Sequence, residues 1–299
     1  MMARLSVLVS CLALAGATQT LEWKHGAPLP VPRGEVAAAT LGREVVIVGG
    51  FLADGRSSSR VDAYSPGRNR WRRLPDLPVA VNHAMAASDG RRLYVAGGYG
   101  APTRAFVFAN NRWRRLPNLP EPRAAAGAAV VGRKLYLVGG VAAPGTLARK
   151  ALAFDLAKRR WSRIPGPKPR EHLGVTALAG RVYAVAGREA GTNFDAFQVY
   201  GPSARHWSTL PRVPEPRGGT DAAALGSLIV SAGSESSAGT SAAVYAFNVQ
   251  TRRWRRLPDL PTPRHGLGVV ALGGRVYVVA GGPKPGLSVS DANEFLRLR

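Results

Sequence analysis

The residues best suited to chemistry recur at one distance from tryptophan. Arg33, Arg123, Arg217 and Arg264 each stand ten positions after a Trp, Arg170 stands nine after, and Val81 takes the place in the remaining copy. Glu35, Glu171, His172, Asp221 and His265 lie close by in sequence, while Arg188, Glu189, Glu235 and Lys284 fall in later loops. A guanidinium pairs a carboxylate through two parallel hydrogen bonds, so a ring of Arg with a few acids and imidazoles suits an anionic ligand. Arg33, Arg123, Arg170, Arg188, Arg217 and Arg264 are the expected ligand-binding residues. Glu189, Glu235 and His172 are the acid–base candidates if the site is catalytic, and a carboxylate base there needs a raised pKa. No His cluster has metal-ligand spacing and no glycine-rich loop opens a helix, so neither a metal nor a cofactor is expected. His83 and His206 read as isolated structural or surface groups.

A repeat must position these side chains. Trp23, Trp71, Trp113, Trp161, Trp207 and Trp254 are all the Trp in the chain, spaced 42 to 48 residues apart. "WRRLP" occurs intact at Trp71, Trp113 and Trp254, and softens to "WSRIP" at Trp161 and "WSTLP" at Trp207. Each Trp is followed by a Gly pair or a near relative: Gly49-Gly50, Gly97-Gly98, Gly139-Gly140, Ala186-Gly187, Ala232-Gly233 and Gly281-Gly282. Periods of ~40–50 residues point to propellers of four-stranded blades. Every unit supplies four short β runs, here a to d: a small-residue run, a bulky run into the Gly pair, an alternating run and the Trp run. The small residues of strand a suit the crowded position around a central axis.

The pattern resembles the kelch repeat in its diglycine, in Tyr94, Tyr136, Tyr183 and Tyr277 just upstream of it, and in an aromatic before the Trp. That aromatic is Tyr64, Phe108, Phe154, Tyr200 or Phe247. The resemblance spans nearly the whole chain and implies an all-β fold: a six-bladed kelch-type propeller, four antiparallel strands per blade. The last unit, ending "DANEFLRLR", lacks a Trp strand, and "LEWKH" near the start supplies it, closing the ring. Closure removes an edge that invites aggregation. Kelch propellers include binding modules and unrelated enzymes, so the resemblance speaks to fold more than to activity. A likeness to kelch-type galactose oxidase implies copper and a Tyr–Cys cross-link, a reading excluded because Cys11 is the sole cysteine and the expected export cleavage removes it. A likeness to kelch-type N-acetylneuraminate epimerase implies a cofactor-independent sugar-acid epimerase or mutarotase.

Composition sets the remaining expectations. The chain has 299 residues, 41 Lys and Arg against 18 Asp and Glu, and a net charge of +23. Such an excess attracts anions. Residues 1–17 read as an export signal, with a basic start, a short apolar stretch and Ala15-Gly16-Ala17 as cleavage site. Residues 18–299 then form one propeller domain, secreted or periplasmic, and cleavage removes Cys11. Leu8-Val9-Ser10-Cys11 also resembles a lipoprotein box. No apolar run reaches the ~18–20 residues that span a bilayer.

The a–b and c–d turns share one face of such a propeller, and the d–a linkers and b–c loops share the other. The turn face collects Arg43, Arg68, Arg70, Arg91, Arg92, Arg112, Arg133, Lys134, Lys158, Arg159, Arg160, Arg181, Arg205, Arg252, Arg253 and Arg275, with Glu44 and Asp89 as its chief acids. The expected protein is a monomeric binding or scaffold module for a protein, an anionic glycan or a cell-envelope polymer. The alternative is the extracytoplasmic sugar-acid epimerase. Nucleic acid enters only if the chain is not exported.

Overall fold

The computed structural model describes residues 21–298. The export signal and its cleavage site therefore lie outside the described residues. Every regular element is a strand, and six four-stranded antiparallel sheets carry the fold. Three two-stranded hairpins sit in the b–c loops of blades three, four and five. Five blades run a to d in chain order. In the sixth, Trp23–His25 pairs with Asn293–Arg297 and puts Trp23 opposite Leu296. The ring closes as the sequence predicts.

Strand a of each blade lines the axis: Ala37–Leu41, Met85–Ser88, Gly127–Val131, Gly174–Leu178, Asp221–Leu225 and Gly268–Leu272. Six strands converge there, and only small side chains fit. A Cβ on Gly127 would lie 2.3 Å from Val175 Cγ2 of the next blade. The bulky b strands fill the layers between blades, where Val45, Val46, Ile47 and Val48 are fully buried. Burying such a side chain contributes ~1.5–3 kcal/mol.

The recurring "WRRLP" has a geometric cause. Each Trp indole donates to the carbonyl four residues past the Trp of the preceding blade. Trp113 reaches Pro75 at 2.8 Å, Trp161 reaches Pro117 at 2.9 Å and Trp254 reaches Pro211 at 2.8 Å. Trp71 reaches Ala27, which stands where the other copies have Pro, and Trp23 reaches Pro258. The six bonds form a circle of blade-to-blade clasps. Across each of the first five blades the Trp also faces the strand-c aromatic, as Tyr64 faces Trp71. Such cross-strand pairs add to sheet stability.

A second circle explains the Gly pairs. The N–H of Gly50, Gly98, Gly140, Gly187, Ser234 and Gly281 donates to the carbonyl of Val81, Arg123, Arg170, Arg217, Arg264 and Arg33 respectively. The repeating pair is therefore Gly233-Ser234 in blade five and Ala280-Gly281 in blade six, one residue later and one earlier than the sequence expects. The first member takes a positive φ throughout, 60° at Gly97 and 60° at Ala280. At Gly97 a Cβ would also lie 2.2 Å from the Arg123 carbonyl oxygen. Val81 interrupts nothing here, because the clasp uses only its backbone.

Candidate functional site

The five Arg that recur after Trp do not rim a mouth. Arg33, Arg123, Arg170, Arg217 and Arg264 are buried inside the blades, none more than 1% exposed. Their guanidinium groups donate to carbonyls where strands b and c leave the sheet. Arg33 donates to Gly49 and Arg60, and Arg123 to Gly139 and Lys150. Arg170 takes Ala186, Ala184 and Lys168, and Arg264 takes Ala280, Val278 and Thr262. Arg217 donates to Ala243 and lies 4.9 Å from the centre of the Tyr245 ring. Buried carbonyls need donors, and a fixed fork of N–H groups supplies several at once. Burial pushes Arg33, Arg170 and Arg217 down to about 10, which leaves them charged at neutral pH. The expected ligand-binding ring is corrected to a set of structural clamps. Among the expected binding residues, Arg188 alone is placed at the loop-face surface, half-buried beside Glu235.

The chemistry lies two residues further along. Glu35, His83, Ala125, His172, Gly219 and Gly266 occupy one equivalent position at the loop-face end of strand a. They form a third circle, in which each N–H from His83 to Gly266 donates to the carbonyl of the member before, and Val36 N–H closes it on Gly266. All six have left-handed backbones, with φ of 50° at Glu35, 52° at His83 and 50° at His172. A side chain in that region costs ~1–3 kcal/mol and clusters at functional sites. Glycine fills the position in blades five and six, where space is already taken. A Cβ on Gly266 would lie 2.5 Å from Glu35 Oε1, and one on Gly219 would lie 3.0 Å from His265 Cβ.

These side chains meet across the axis and close the loop-face end of the central channel. Glu35 Oε2 lies 3.2 Å from His83 Nε2 and 3.8 Å from His172 Nε2 on the opposite blade. Glu35 Oε1 lies 3.2 Å from His265 Nδ1, which is also 3.3 Å from Glu235 Oε1. Arg188 bonds Glu235 at 2.6 Å and approaches Glu171 at 3.4 Å. Burial pushes His83 down to about 4 despite Glu35 beside it. For His265 burial acts downward too, but the hydrogen bond and charge of Glu35 and the charge of Glu235 win and raise it. Glu35 is held well below the carboxylate range: burial works against ionisation, and the three imidazoles outweigh it.

Behind this plug a channel of about 340 Å³ runs along strand a, lined mainly by Ala, Val and Gly with Thr40, Ser88 and Thr176. Asp221 is its one acid besides Glu35. Burial pushes its carboxyl up to about 7, although the N–H groups of Val269 and Ala222 donate to it.

Of the acid–base candidates, the structure brings Glu235 and His172 to this cluster and leaves Glu189 exposed on a hairpin outside it. Sequence reasoning missed His83. The signal was present, because His83 and His172 both stand two residues after the Arg position of their copies. Among the described residues, Glu35, His83 and His172 bring ligating atoms within 4.8 Å of one another, as do Glu35, Glu235 and His265.

The turn face is as basic as the sequence expects. Of its sixteen Arg and Lys, fifteen are exposed and Arg275 is half-buried. Of its acids, Glu44 pairs Arg72, while Asp89 and Asp155 accept from backbone N–H groups within the turns. Among the described residues none of the sixteen joins an ion pair of this kind.

Comparison with known families gives two matches. A family model described as KLHDC2/KLHL20/DRC7 Kelch-repeats domain matches residues 82–282, and one described as Kelch motif matches residues 32–78. No curated protein sequence matches.

Proposed function

Because this chain belongs to the kelch-repeat family, we propose that it is an exported binding module whose basic turn face docks an anionic partner, an acidic protein or an acidic polymer of the cell envelope. A kelch propeller is a typical protein-binding scaffold. The observation that carries this reading is the face of fifteen exposed cations, none of which joins a salt bridge among the described residues. Such a field steers anionic partners and releases counterions on binding. The make-up of residues 1–17 supports export.

The filled axial mouth favours binding over sugar-acid epimerisation. An epimerase needs a base that faces an open sugar site. Glu235 is tied to Arg188 and to the N–H of Gly286, and Glu189 lies outside the cluster. The test is binding of the purified protein to poly-glutamate and to an acidic polysaccharide over a salt series. Replacement of Arg159, Arg160, Arg252 and Arg253 by Ser weakens binding and lowers its dependence on log salt, because fewer counterions are displaced. Equal binding by parent and variant at every salt concentration overturns the reading. The polyanion that binds more tightly at physiological salt separates acidic protein from envelope polymer.

A further inference from the structure

Two imidazoles bring a ring nitrogen to one carboxylate oxygen on the propeller axis. The orientation of His83 is fixed from behind. Asn82 Nδ2 donates to Ser57 Oγ at 2.7 Å, which turns Asn82 Oδ1 towards His83 Nδ1 at 2.5 Å. His83 Nδ1 thus faces the Asn82 carbonyl oxygen, and Nε2 faces Glu35 Oε2. His172 repeats the arrangement from the opposite blade. Its Nδ1 faces Glu171 at 3.4 Å and its Nε2 faces the same Glu35 oxygen. That side chain is 9% exposed, and neither ring nitrogen has a hydrogen-bond partner. Ligating atoms of Glu35, His83 and His172 all lie within 4.8 Å of one another, a spacing that one cation can bridge.

We propose that Glu35 Oε2, His83 Nε2 and His172 Nε2 bind one divalent first-row transition ion, with zinc the best match, at the loop-face end of the axis. Two imidazoles and a carboxylate are a donor set that zinc takes with bonds of ~2.0–2.2 Å, and such bonds put neighbouring donors roughly 3.3 Å apart. The two carboxylate edges, 3.2 and 3.8 Å, need only small side-chain shifts, and the two imidazole nitrogens lie within 4.8 Å of each other. Two ligands have the outer support that metal sites use, Asn82 behind His83 and His265 on the second oxygen of Glu35, while Glu171 stands 3.4 Å from His172 Nδ1. All three ligands line the end of the channel, which gives a hydrated ion its way in. The ligands come from blades one, two and four, so the ion ties non-adjacent blades across the axis. This inference is independent of partner binding at the turn face.

The test uses the full chain stripped by a chelator and dialysed. Calorimetric titration with zinc is expected to give one site per chain, cobalt to give the d–d absorption of a nitrogen–oxygen set, and zinc to raise the melting temperature by mass action. His172→Ala and His83→Ala lower zinc affinity by more than the ~10–100-fold typical of outer-support changes, and Asn82→Ala lowers it within that range. His206→Ala, at an exposed turn-face position, leaves it unchanged. If a ligand variant does not fold, Asn82→Ala, which keeps all three ligands, decides the matter. Substoichiometric zinc in the parent, or equal affinity in parent, His172→Ala and Asn82→Ala, overturns the proposal.

Discussion

Glu35 and Gly266 share one contact that fixes the geometry of the axial plug. The Glu35 carboxylate occupies the space that a side chain on Gly266 would fill, 2.5 Å from the ideal Cβ position. Gly266→Ala then carries two penalties, a side chain at φ 56° and a clash with Glu35. The backbone part costs ~1–2 kcal/mol. In a Glu35→Ala background the carboxylate clash is gone, and the left-handed backbone and a 3.0 Å approach to the backbone nitrogen of residue 35 remain. Urea unfolding of the four species measures the difference, and a strictly additive pair removes the contact from the account.

Arg264 is predicted to be a stability residue and not a ligand residue. Its guanidinium pairs Glu294 at 2.6 Å with both side chains buried, and it satisfies three carbonyls besides. Removing one partner of a buried pair costs ~3–5 kcal/mol, because the other charge is stranded. Arg264→Ala should fall in that range and Arg264→Ala with Glu294→Leu should recover part of it. Polyanion binding by whatever fraction folds should equal that of the parent.

Ring closure has a direct test. Deleting residues 21–28 removes Trp23, its indole bond to Pro258 and the outer strand of blade six. The loss is expected to be at least ~3 kcal/mol, since a buried aromatic goes and a sheet edge is exposed. The melting curve should drop and the variant should associate at concentrations where the parent does not. An unchanged melting curve contradicts the closure.

Asp221 sets a pH dependence of defined sign. Its carboxyl is raised from 3.8 to about 7 by burial in the channel. A folded state that holds the proton more tightly than the unfolded one gains stability at low pH. That contribution is fully present below about 3.8 and is lost as pH rises through about 7. Asp221→Asn cannot ionise, so its stability relative to the parent should rise between pH 4 and pH 8. Chemical denaturation at the two pH values reads the change directly.

The sequence by itself determined the propeller, its blade number and its closure. Those follow from repetition: each Trp and each Gly pair makes a blade-to-blade contact that every copy must reproduce, so the contact leaves a periodic mark. Small shifts of the mark, as at Ser234 and Ala280, escape because the clasp is a backbone bond that tolerates either residue. The turn-face charge was equally legible, since tight turns place their residues in solvent whatever the neighbours. What repetition could not tell was which recurring group is structural and which is chemical. Arg33, Arg123, Arg170, Arg217 and Arg264 repeat because in five of the six blades a guanidinium satisfies buried carbonyls at the ends of strands b and c. Glu35, His83 and His172 share one position but differ in type, and only the convergence of six strands on an axis brings residues so far apart in sequence within 4 Å. The tertiary structure decided that meeting, because distance across a closed ring is set by the ring and not by separation along the chain.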